Sequence, residues 1–67
     1  MVEVIQFFDD VDTLEKISEF VNDEIRIDYK DPKKPILKIK TKKGTITANI
    51  GDYIVKQHNE FHIRRFL

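Results

Sequence analysis

Apolar and polar residues alternate along most of the second half of the chain. Apolar side chains stand at every second position in residues 25–29, 37–39 and 46–50, and Thr41 continues the second series. This period is typical of strands that bury one face. Turn residues separate the three segments, with two prolines in 31–35 and Gly44 at a position that favours a positive φ. The pattern predicts an antiparallel meander with one apolar face and one polar face.

The first third of the chain predicts a strand followed by a helix. Residues 2–8 are mostly β-branched and aromatic, with apolar side chains on both faces. We therefore expect a central strand, or one covered on both sides. A helix over about residues 13–22 follows, with Asp12 as its N-cap and Glu15 completing a capping box. Its apolar face carries Leu14, Ile17 and Val21.

Two further segments, 53–57 and 60–65, predict a last hairpin closed by a two-residue loop at His58 and Asn59. Gly51 is where we expect the sheet to bend. In this register one face pairs Ile54 with Ile63 and Lys56 with Phe61. The other face carries a mixed set of side chains: Tyr53, Val55, His62 and Arg64.

The element order β-α-β-β-β-β-β defines an α+β arrangement. It predicts a strongly bent antiparallel sheet, or a partly open small barrel, with one helix packed across it. The 67 residues indicate one domain, 1–67. Because a chain of this size buries only about 60% of its unfolded surface, stability depends on a well-packed core or on a homo-oligomer, and both stay open. Apolar Phe66 and Leu67 predict a docked C-terminus.

Charge is distributed unevenly although the net charge is zero. Residues 1–29 contain two basic and nine acidic residues, a net charge of −7. Residues 30–67 contain ten basic and three acidic residues, a net charge of +7. Such asymmetry indicates a charged partner or head-to-tail contact between copies. The alternative is a hydrated surface on which the two halves mix in three dimensions.

The acidic residues concentrate on the predicted helix and the loop before it. A run of carboxylates can imitate a phosphate backbone and occupy a basic groove of a nucleic-acid-binding protein. Helix capping and a hydrated helix face are the alternative explanation. The candidate partner-binding carboxylates are Asp10, Asp12, Glu15, Glu19 and Asp23.

Basic residues concentrate on the predicted meander, where they are a second candidate site. They are suited to the phosphates of a nucleic acid or a nucleotide. No aromatic residue is interleaved on that face to stack a base, and lysines also protect sheet edges. The candidate anion-binding residues are Arg26, Lys33, Lys34, Lys38, Lys40, Lys42 and Lys43. A third candidate is the mixed hairpin face with Tyr53, His62 and Arg64, of a composition enriched at interfaces.

Catalytic and metal chemistry find no support in the residue pattern. No nucleophile, base and orienting residue can be grouped, there is no cysteine, and His58 and His62 have a turn between them and no third ligand. We therefore expect no enzyme, no metal and no cofactor. The apolar runs are too short for a membrane span and the N-terminus lacks a basic signal-peptide region, so we expect a cytoplasmic protein.

Two groups of residues resemble a known family. The run Gly51-Asp52-Tyr53-Ile54-x-Lys56 follows Thr41 and Gly44 and precedes Glu60-Phe61. Val4-Ile5-Gln6-Phe7 and Leu14-x-x-Ile17-x-x-Phe20 stand in the N-terminal half. Together they are similar to a family of small phage and prophage proteins over residues 2–63, with Ile50 where that family has proline. The resemblance implies a phage context, in which small proteins often bind host machinery, including defence systems.

These observations combine into one functional hypothesis and one alternative. The first is a phage-type binding protein in the host cytoplasm that blocks the nucleic-acid site of a bacterial defence component, as an anti-CRISPR protein does. Its contact surface is the acidic helix or the face of Tyr53 and His62. The alternative is an oligomeric nucleotide- or nucleic-acid-binding protein that uses the lysine-rich hairpin.

Overall fold

The computed structural model describes residues 1–22 and 24–65. One helix and six strands follow in the predicted order, so the α+β prediction is confirmed. The expected docking of Phe66 and Leu67 falls outside the described residues. The elements are β1 (Val2–Gln6), α1 (Val11–Val21), β2 (Ile25–Asp28), β3 (Ile36–Thr41), β4 (Gly44–Asn49), β5 (Tyr53–Gln57) and β6 (Glu60–Arg64).

The strands form two antiparallel three-stranded sheets, one ordered β2-β3-β4 and the other β1-β5-β6. Side chains from both sheets and from α1 meet in one apolar core. The helix contributes Ile17 and Val21, with Leu14 and Phe20 packed against the core's edge. This confirms the predicted apolar stripe of the helix. The buried core residues are Phe7, Ile17, Val21, Leu37, Ile39, Ala48 and Ile54.

The meander has the predicted alternation. Leu37 pairs with Ala48 and Ile39 pairs with Ile46 on the face toward the core. Lys38 points to the opposite, polar face and is exposed. Gly44 has a φ of 122°, a conformation that glycine adopts without a steric penalty. The tight β3–β4 turn is therefore fixed by local sequence.

The β5–β6 hairpin also has the predicted register. Ile54 pairs with Ile63 and Lys56 with Phe61. His58 and Asn59 have φ values of 52° and 62°, as a type I′ turn requires at its two central residues. Asparagine tolerates this left-handed conformation well, and the turn fixes which side chains share each face.

The prediction for the first strand is wrong in two respects. β1 ends at Gln6 rather than continuing to residue 8, and it is an edge strand that pairs with β5. Its outer face is not covered, since Val2 and Val4 are 53% and 55% exposed. Apolar residues on both faces do not distinguish a buried strand from an edge strand, because apolar side chains are common on protein surfaces.

The predicted N-cap is also wrong. Helix α1 begins at Val11, and its N-cap is Asp10 rather than Asp12. One carboxylate oxygen of Asp10 accepts the backbone N–H of Thr13 at 2.8 Å, and the other accepts the Thr13 hydroxyl at 2.9 Å. These two hydrogen bonds favour Asp10 over Asp12 as the N-cap. The capping-box spacing from Asp12 to Glu15 gives no indication of them. At the other end, Asn22 closes the helix in a left-handed conformation.

A corner at Gly51 and Asp52 joins the two sheets. Gly51 is buried with a φ of 92°. Its backbone N–H donates to the carbonyl of Phe7 at 2.8 Å, and the N–H of Phe7 donates to the carbonyl of Asp52 at 2.8 Å. The Asp52 carboxylate accepts the backbone N–H of Asn49 at 2.9 Å. The predicted bend at Gly51 is thus the passage from one sheet to the other.

We predict that Asp52→Ala lowers the free energy of unfolding by about 1–3 kcal/mol, because the backbone N–H of Asn49 loses a part-buried carboxylate acceptor. Asp31→Ala is the matched control, since the Asp31 carboxylate accepts the Lys33 N–H at 3.0 Å in an exposed turn. We expect the control to change stability by less than about 0.5 kcal/mol. Urea denaturation measures both, and equal losses would contradict a special role for the corner.

We predict that Asp10→Ala lowers Tm by about 5 °C through loss of the helix cap. Asp12→Ala removes a carboxylate from the same end of α1 without removing the cap, and its effect should be less than half as large. The hydrogen bond from the Thr13 N–H lowers the pKa of Asp10 below its ordinary value of 3.8. A lowered pKa means that the stabilisation is complete above 3.8 and disappears as the pH falls through the folded-state value.

Thermal melts of both variants and the natural protein over a range of pH test this assignment. The difference in Tm between Asp10→Ala and the natural protein should be full at pH 6 and should close in acid below 3.8. A larger effect of Asp12→Ala than of Asp10→Ala would show that Asp12 is the cap.

Candidate functional site

Three of the predicted acidic residues form a stripe along the exposed side of α1. Asp12, Glu15 and Glu19 are spaced by three and four residues, which places them on one helical face. All three side chains are exposed. Within the described part of the chain none of them takes part in an ion pair. We call these three residues the carboxylate stripe.

The remaining carboxylates near α1 differ from this stripe. Asp10 is occupied as the helix cap, which lowers its pKa. Asp9 accepts the Tyr29 hydroxyl at 2.9 Å, and this bond raises the pKa of Tyr29. Asp23 falls outside the described residues. Among the described residues, the exposed acidic candidates on α1 that do not cap the helix are the three residues of the stripe.

The mixed hairpin face is brought together as the sequence predicts. Tyr53 pairs with Arg64, and Val55 pairs with His62 on the outer face of β5 and β6. β1 enlarges this face, because Val4 pairs with Val55 on the other side of β5. Sequence reasoning missed the contribution of β1 since its pairing with β5 joins residues about fifty positions apart. The enlarged face combines apolar, aromatic and basic side chains.

The predicted basic residues do not form one continuous patch. Lys33 and Lys34 lie in the β2–β3 loop, whereas Lys42 and Lys43 lie in the β3–β4 turn. These two positions are at opposite ends of β3, whose six residues span about 17 Å. Positive charge is therefore concentrated at two separate ends of the meander.

Between those ends, two of the basic residues are paired with acids. Arg26 contacts Glu24 at 3.2 Å and Lys38 contacts Asp28 at 3.3 Å. The bond from the Lys30 backbone N–H, followed by that from Lys38, lowers the pKa of Asp28. Lys40 is exposed, and no ion pair involves it among the described residues. The middle of the meander's polar face is thus partly neutralised.

A groove separates the β3–β4 turn from the β5–β6 hairpin. Its cavity volume is 600 Å³, and side chains from both turns line it. Lys43 and Glu60 form an ion pair of 2.9 Å between the two turns, and this bond lowers the pKa of Glu60. Lys56 and Phe61 line the groove from the second sheet. A smaller depression of 330 Å³ lies on the polar face beside Arg26 and Lys40.

The described residues contain no cluster suited to a metal ion and no helix that could cross a membrane. In residues 1–22 and 24–65 no three histidine, aspartate or glutamate side chains are grouped as metal ligands. His58 occupies the hairpin turn, and His62 lies on the outer face of β6. The only helix described, α1, has eleven residues and is too short to cross a bilayer.

Comparisons with protein-family models, with curated proteins and with solved structures find no match for this chain. The resemblance to small phage proteins therefore stays a prediction from the residues that carry it. The surfaces described above are the physical basis for any functional assignment.

Proposed function

We propose that this protein is a non-enzymatic binding protein that inhibits a bacterial defence component in the host cytoplasm. In the specific form we favour, it acts as an anti-CRISPR protein does, by occupying a basic nucleic-acid site of an effector. The phage context rests on the family resemblance of residues 2–63. The observation that carries the mechanism is the exposed carboxylate stripe of Asp12, Glu15 and Glu19 on α1.

The stripe has the charge spacing that such mimicry needs. Asp12 and Glu19 are seven residues apart, which corresponds to about 10 Å along a helix axis. The three carboxylates over this length give about one negative charge per 5 Å, with the cationic Lys16 beside them, compared with one per 3.4 Å for a single strand of duplex DNA. The stripe is therefore a short and somewhat diluted imitation of a phosphate backbone.

The stripe is also held rigidly and is open to a partner. Ile17 and Val21 anchor the opposite side of α1 in the core, and Asp10 and Asn22 cap its ends. A preorganised surface loses less conformational entropy when it binds. No ion pair within the described residues has to break before the carboxylates can contact a basic partner.

The mixed hairpin face is less suited than the carboxylate stripe to contact with a basic nucleic-acid site. His62 and Arg64 are exposed on it, and Arg64 carries a positive charge that would be repelled by a basic nucleic-acid site. We therefore assign the electrostatic contact to the carboxylate stripe. The mixed face is suited to a less basic part of the same partner, where Val4 and Tyr53 could supply apolar contacts.

We predict that Glu15→Gln combined with Glu19→Gln weakens inhibition of the effector by about 10- to 30-fold, since each lost charge contact removes about 1 kcal/mol. The assay measures target-DNA binding and cleavage by purified CRISPR effector complexes, with increasing amounts of the protein. If the protein competes with DNA, a higher concentration of it should be needed for the same inhibition when the DNA concentration is raised.

Thr47→Lys combined with Gln57→Lys is the matched control, because it raises the net charge by the same two units on exposed strand positions. We expect the control to inhibit as the natural protein does. Equal weakening by both pairs would remove the stripe as the contact site. Failure of the natural protein to inhibit any of the purified CRISPR effector complexes would overturn the anti-CRISPR form of the proposal.

A further inference from the structure

The groove between the two turns combines three features that are not found together elsewhere in the described residues. It has a cavity volume of 600 Å³, within the range of small-molecule sites. Lysines line it from both sheets, with Lys40 and Lys42 on the meander and Lys56 on β5. Phe61 adds an aromatic residue to the lining of the groove.

Positive charge in the groove is available for a ligand. No ion pair involves Lys40, Lys42 or Lys56 in the part of the chain that the structure describes. Lys43 is held by Glu60 at 2.9 Å. Lys40 and Lys42 line the groove from the meander, and Lys56 lines it from β5. This arrangement suits a phosphate group, because charge-assisted hydrogen bonds to an anion are the stronger ones.

The aromatic wall is ordered by its own contacts. Phe61 packs edge-to-face on Phe20, with ring centroids 6.1 Å apart. The Lys56 ammonium is 5.9 Å from the centroid of each of these rings, within the range of a cation–π contact. These contacts hold Lys56 in place. The half-buried Phe61 ring is likewise held in position, where it can contact a planar ligand.

From these features we infer that the groove binds a nucleotide. Its phosphates lie against Lys40 and Lys42, and its base lies against Phe61. The Glu60 carboxylate also lines the groove, where it disfavours phosphate beside it and accepts hydrogen bonds from an amino or hydroxyl group. The ligand thus binds in one orientation, with its anionic end toward the meander and its ring toward the hairpin.

A small nucleotide fits better than a strand of nucleic acid. A strand needs a continuous basic track that follows its backbone. Here Lys33 and Lys34 lie about 17 Å away at the other end of β3. Arg26 and Lys38 between them are paired with acids. The positive charge of the groove is therefore not continued along the meander.

Titration of the ¹⁵N-labelled full chain with AMP, ADP, inorganic pyrophosphate and a twelve-residue oligothymidylate tests the inference. AMP and ADP should shift the amide signals of residues 40–46 and 56–62, with an affinity that falls as salt rises. Shifts confined to these segments support the groove. Absence of binding by AMP and ADP at millimolar concentration would overturn the inference.

Two pairs of lysine substitutions locate the charge contact. Lys40→Gln with Lys42→Gln should weaken ADP binding at least tenfold. Lys33→Gln with Lys34→Gln removes the same charge from the opposite end of the meander and should leave the affinity unchanged. Equal weakening by both pairs would show general attraction to a basic protein and would contradict a site.

Phe61→Leu tests the contact with the base. It should weaken binding of AMP and ADP several-fold and leave pyrophosphate binding unchanged, provided that the amide spectrum of the free variant shows a preserved fold. Val55→Leu is the control for a conservative change on the opposite face of the hairpin. Oligothymidylate binding that exceeds ADP binding and depends on Lys33 and Lys34 would favour a nucleic-acid surface instead and would overturn the nucleotide assignment. None of these outcomes depends on the carboxylate stripe.

Discussion

The reciprocal backbone bonds between Phe7 and the Gly51–Asp52 corner connect the two sheets. Phe7 donates to the Asp52 carbonyl and accepts from the Gly51 N–H, both at 2.8 Å. The Gln6 side chain donates to the Gly51 carbonyl at the same distance. These bonds fix the end of β1 against the passage from β4 to β5. They also bring the fully buried Phe7 ring into the core under α1.

The position of each candidate surface follows from this connection. The two sheets meet in the core, and α1 places Ile17 and Val21 there; its carboxylate stripe must then face away from the sheets. The same joining of sheets sets the β3–β4 turn beside the β5–β6 hairpin, where Lys43 and Glu60 form their ion pair. The groove is thus a consequence of how the two hairpins are arranged.

Local patterns in the sequence were sufficient for the element order, for the β3–β4 turn at Gly44 and for the register of the β5–β6 hairpin. Gly44, His58 and Asn59 show why, since turn residues with positive φ determine which residues pair. The edge position of β1 was not predictable, because pairing of Val4 with Val55 leaves no local signal. The same limit applies to the groove, which combines Lys40 with Lys56 and Phe61 from another sheet. The Asp10 cap was missed because three nearby aspartates offer competing spacings.

The structure also changes the meaning of the charge asymmetry along the chain. The three ion pairs among the described residues lie on or beside the strands, at Arg26, Lys38 and Lys43. Two of them neutralise lysines of the basic half, and none of the three involves the carboxylate stripe of α1. The sequence segments of −7 and +7 therefore become an acidic helix and two separate basic ends. Because exposed charges interact weakly beyond about 10 Å at 0.1 M salt, the two basic ends of the meander, about 17 Å apart along β3, are separate regions of positive charge.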